Sequence, residues 1–144
     1  MTFKTKATGL VGAMMLSAGF VLAGAAPANA MGPMVEAMDQ DVSGGVVTAS
    51  KIMAGENGWL VVHRTNSDMK PGPVVGYAPL KKGENMDVSA ILQEPVKSGE
   101  MLMLMIHSEN GGMKTGVFEY TLGAKEDGPI KPDGKLVMKV VSAK

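Results

Sequence analysis

From about residue 46 onward, short β-rich apolar runs, some alternating with polar positions, are separated by turn residues. A period of two is the pattern of a strand that turns one face to a core. The runs predict strands over Val46–Met53, Trp59–Arg64, Val74–Leu80, Met86–Gln93, Met101–Ser108, Val117–Leu122 and Lys135–Ser142. Between them lie Gly55-Glu56-Asn57-Gly58, Lys70-Pro71-Gly72-Pro73, Lys81-Lys82-Gly83-Glu84, Lys97-Ser98-Gly99-Glu100, Asn110-Gly111-Gly112 and Asp127-Gly128-Pro129. Their Gly, Asn and Asp accept positive φ and their Pro fixes φ, which suits turns and interrupts strands. No stretch carries a long apolar period of 3.6 residues. The pattern predicts an all-β chain: a single antiparallel β-sandwich of immunoglobulin-like type with about seven strands, or alternatively a cupredoxin-like barrel.

The first thirty residues read differently. Lys4 and Lys6 precede an apolar, Gly- and Ala-rich run from Leu10 to Ala26, and Pro27 and the triplet Ala28-Asn29-Ala30 follow. That is the order of a signal peptide with a small-residue cleavage site. Cleavage is expected after Ala30, in a periplasmic or secreted protein with no membrane span afterwards. No Cys follows the apolar run, so no lipid anchor is expected. Residues 31–45 hold few large apolar side chains other than Met and are expected to be a flexible leader or one helical turn. Residues 46–144 are the expected sandwich domain.

Lining up the predicted strands brings out a resemblance. Gly58-Trp59-Leu60-Val61-Val62-His63 is followed by Pro71-Gly72, Val75-Gly76, Leu80 and Gly83. Then come Val88, Glu94-Pro95-Val96, the run from Leu102 through Met105-Ile106-His107, Gly116-Val117-Phe118-Glu119 and Asp127-Gly128-Pro129. This order resembles a secreted domain of unknown function common in haloarchaeal surface proteins and also present in bacteria. The resemblance spans about residues 46 to 142. It implies a β-sandwich in an exported protein and brings no enzymatic activity with it. The chain departs from it in its methionine load, including Met103, where such domains often have Tyr.

Composition narrows the chemistry. Fourteen basic and fourteen acidic residues balance, which argues against a nucleic-acid partner. The absence of Cys removes disulfide scaffolds, thiolate metal sites and Cys nucleophiles. No nucleophile elbow, P-loop, dinucleotide fingerprint or H-E-x-x-H is present, so no enzyme is expected. Asn110-Gly111-Gly112 and Asp127-Gly128-Pro129 lack the ligand count of a calcium loop and read as turns.

Methionine is the anomaly, at fourteen residues. Met101, Met103 and Met105 share one strand face with His107, while Leu102, Leu104 and Ile106 take the other. Both faces are apolar, so this strand is expected to be buried and its methionines to be packing material. Polar loops are another matter. His63 and Met69, and again His107 and Met113, form two His-x5-Met segments, each leaving a strand for a polar loop. Imidazole and thioether are donors that soft Cu(I) accepts. His63, Met69, His107 and Met113 are therefore candidate Cu(I) ligands, with Met31, Met34 and Met38 as an auxiliary set. In an up-and-down strand order the two histidines would leave at opposite ends, so two poor sites or none are expected rather than one four-ligand site. The competing role for each His is a hydrogen bond to a neighbouring loop. The chain is thus expected to be an exported, non-enzymatic domain with a structural or interaction role in the cell envelope. The alternative is a periplasmic Cu(I)-binding or copper-tolerance protein. The expected partner is accordingly an unidentified envelope protein or a copper ion, and Cu(I) is the one cofactor candidate.

Overall fold

The computed structural model, which describes residues 31–144, has seven antiparallel strands, six of them where the sequence pattern places strands. The expected signal peptide lies outside the described residues. The strands are β1 (Met34–Glu36), β2 (Val46–Ala54), β3 (Gly58–Thr65), β4 (Val74–Leu80), β5 (Gly83–Leu92), β6 (Met101–Ser108) and β7 (Met138–Ser142). Their order across the sheet is β1-β2-β5-β4-β3-β6-β7. Strands β3, β4 and β5 run back and forth as neighbours, and β2 lies beside β5, which is a Greek-key arrangement.

The sheet is pinched between β4 and β5, where only Gly76↔Leu92 and Tyr77↔Ile91 pair. It doubles over there into two layers, β1-β2-β5 and β4-β3-β6-β7. Val47, Ala49 and Ile52 of β2 meet Leu60 and Val62 of β3 and Leu102, Leu104 and Ile106 of β6 in one core. The open edges are joined by Gln40. Its side chain pairs with both backbone groups of Thr48 in β2, each at 2.8 Å. Its main chain bonds Ser142 at 3.2 Å and Lys144 at 2.9 Å at the end of β7. The result is a nearly closed sandwich.

Two stretches differ from expectation. Residues 31–45 are not simply a leader, because Met34–Glu36 pairs with Lys51–Met53 as β1. Val117–Leu122 forms no strand. Its Glu119 amide donates to the Asp127 carboxylate instead of a ladder partner, and Phe118 and Tyr120 turn onto the sheet. The last strand is shortened to Met138–Ser142 by the turn at Pro132–Gly134.

Candidate functional site: a buried pair of imidazoles

Strands β3 and β6 are neighbours, and both of their faces are covered. Leu60, Val62, Leu102, Leu104 and Ile106 enter the sandwich core. The other face presents Trp59, Val61 and His63 from β3 and Met103, Met105 and His107 from β6, in the rungs Trp59↔His107, Val61↔Met105 and His63↔Met103. These six residues are buried, with both histidines at zero exposure. The segment after β6 covers them, through Phe118, Tyr120 and Asp127. The expected division of β6 into a Met/His face and a Leu/Ile face is what the structure has.

The two imidazoles meet diagonally over the middle rung. Their Nε2 atoms are 3.3 Å apart and their ring centroids 5.4 Å. Each ring is fixed from behind. His63 Nδ1 donates to the Gly72 carbonyl at 2.7 Å, and His107 Nδ1 donates to the Asp127 carbonyl at 2.7 Å. A carbonyl oxygen only accepts, so both rings carry their proton on Nδ1. In the neutral pair both Nε2 lone pairs therefore face each other. Tyr120 closes the space from above, edge-on to His107 at 4.5 Å and to His63 at 5.8 Å.

The surroundings keep protons away. Burial pushes His107 down to about 4, helped by the charge of His63 and opposed by its bond to Asp127. Burial also lowers His63, against the opposing bond to Gly72. The two Nε2 lone pairs thus converge away from solvent.

Asp127 holds the cover in place. It is buried at positive φ (45°), and its carboxylate accepts the amides of Asn110 at 3.0 Å and Glu119 at 2.8 Å. One residue thus anchors both ends of the covering loop while its own carbonyl orients His107. Trp59 is buried beside His107, edge-on to Tyr77 and Phe118, and its Nε1–H has no hydrogen-bond partner among the described residues.

The sequence-derived candidates fall into two groups. His63 and His107 come together, which the up-and-down strand order did not foresee. Their strands do exit at opposite ends, but as neighbours they let the rings reach across a single rung. Met69 is 48% exposed in a turn and Met113 is 91% exposed in the covering loop, so neither lies against a buried ring. Of the auxiliary set, Met31 and Met38 are exposed and Met34 sits on β1 opposite Met53. Gly72, Tyr120 and Asp127 carry parts of the site that spacing did not single out. The positive-φ Asp-Gly-Pro turn was the visible trace of Asp127.

Among the described residues no group of three or more His, Asp or Glu is placed to hold a metal, and no helix is long and apolar enough to cross a membrane. No curated protein and no solved structure matches the chain. A family model does, across residues 33–144, and the chain therefore belongs to the family described as Domain of unknown function (DUF7282).

Proposed function

We propose that this is an exported, non-enzymatic domain of the cell envelope, periplasmic or secreted, that holds a copper(I) ion between His63 and His107. The observation that carries the reading is the 3.3 Å approach of two Nε2 atoms whose rings both direct their Nδ1–H at backbone carbonyls. Neutral donors in a buried pocket favour an ion of low charge, because the cost of burying charge rises steeply with its magnitude. Imidazole suits copper, and the site needs no deprotonation to accept it.

The competing reading is a purely structural or interaction role in the envelope. It is favoured by the same Nδ1 bonds, which tie the Gly72 and Asp127 loops to the sheet. Anaerobic titration of the purified protein with Cu(I) against a competing chelator separates the two. The copper reading expects one tightly held ion, with binding lost in His63→Ala and His107→Ala and retained in Met69→Leu and Met113→Leu. A protein that takes up no Cu(I), or binds it undiminished without both histidines, leaves the structural reading standing.

A further inference from the structure

The separation of the two nitrogens specifies more than a pair of donors. A metal–imidazole bond is about 2.0–2.1 Å long, so a linear two-coordinate ion would hold its nitrogens about 4 Å apart. At the observed 3.3 Å, two such bonds enclose an angle of about 105–110°. That bent angle belongs to three- or four-coordinate ions. An ion held at that angle would need at least one more donor.

The oxygen donors nearby are already engaged or absent. Both Asp127 carboxylate oxygens accept backbone amides, and the Tyr120 hydroxyl accepts the Gly123 amide at 3.4 Å. The floor under the rings is the rung Val61↔Met105, which lies midway between Trp59↔His107 and His63↔Met103. Val61 has nothing to donate. Met105 is fully buried on the imidazole face and carries a thioether. Met103, equally buried, lies one rung away, beside His63 alone.

We infer that Met105 completes the site as a third, sulfur donor, so that two imidazole nitrogens and one thioether hold a monovalent d10 ion, Cu(I) or Ag(I), rather than Zn(II). The inference rests on the copper reading above and extends it. Thioether softness selects Cu(I) over divalent zinc, which takes thiolate, imidazole or carboxylate. At Met105 alone the assignment departs from the expectation that the methionines of β6 are packing. Entry does not need an open channel from the strand, because the face is covered by a loop and not by a second sheet.

Copper K-edge absorption of the anaerobic Cu(I)-loaded protein reads the donors directly, and chelator competition reads affinity. The expected spectrum has two nitrogen scatterers and one sulfur. Met105→Leu, which keeps the volume, should lose the sulfur shell and weaken Cu(I) binding tenfold or more. Met103→Leu should keep both, and Zn(II) should not displace the ion. A parent spectrum without sulfur overturns the assignment even if Met105→Leu fails to fold, as does a Met105→Leu protein that binds like the parent. If either result comes with binding that still requires His63 and His107, only the third donor is wrong. A parent that binds no Cu(I) overturns both readings.

Discussion

His63 and His107 touch through Nε2 although neither is the other's strand partner, since His63 pairs with Met103 and His107 with Trp59. Their protonation therefore couples to folding. In the unfolded chain each imidazole takes its proton near 6.5. In the folded protein burial holds His107 neutral down to about 4 and lowers His63 as well. Between those limits the unfolded state binds more protons, so stability falls as pH drops, and above 6.5 the pair contributes no pH dependence. His107 alone accounts for a loss on the order of 3 kcal/mol across the window. The other titratable groups facing the pair, Tyr120 and Asp127, come from the covering segment, and the Asp127 carboxylate is held by amides. Imidazole NMR titration of the metal-free protein should show no His107 transition near 6.5, and urea unfolding should weaken from pH 6.5 toward 4. A transition at 6.5 with unchanged stability would contradict the buried pair.

The strands were legible because short apolar runs lie between turn residues, and β4 and β6 occupy the very residues so marked. The chemistry of β6 was legible because alternate residues share a face. What alternation cannot state is strand order. Placing β3 beside β6 requires the Greek-key crossing of β2 to β5, a long-range choice with no local signature. The meeting of His63 and His107 depends on it. Val117–Leu122 misled because its apolar residues serve as a cover and not as a rung. Phe118 and Tyr120 pack on rings while the Glu119 amide is capped by a side chain eight residues away.

Asp127 offers the cleanest handle on that cover. Both carboxylate oxygens accept backbone amides, from Asn110 and Glu119. Asp127→Asn keeps the size and tolerates the positive φ, but turns an NH2 toward one of those N–H groups. A buried donor left without its acceptor costs about 1–3 kcal/mol, and these half-buried amides should lose less. Hydrogen exchange should accelerate at the Asn110 and Glu119 amides, and the loop between them should become the first site of limited proteolysis. Exchange as slow as in the parent would show that apolar packing alone keeps the loop down.

Gly58 tests the other support of the pair. It stands between β4 and β6, opposite Leu80 and Ser108, and a Cβ there would run into the backbone carbonyl oxygen of His107. Replacing a strand glycine by alanine ordinarily stabilises by about 0.4–1 kcal/mol through the unfolded chain. Here the obstacle is backbone in a central ladder, which cannot turn aside as a side chain would. Overpacking of this kind costs about 1–3 kcal/mol, so the sign reverses. Gly55→Ala is the control, since a Cβ there meets only the Pro33 ring at 3.8 Å. Urea unfolding should show Gly58→Ala clearly weaker than the parent and Gly55→Ala equal or slightly stronger. The displacement also bears on the site, because moving the His107 main chain draws its ring away from His63. Gly58→Ala should then lose Cu(I) affinity even under conditions where it remains folded. Equal stabilities for the two alanine variants would mean that β3 and β6 have more freedom at this rung than the close approach allows.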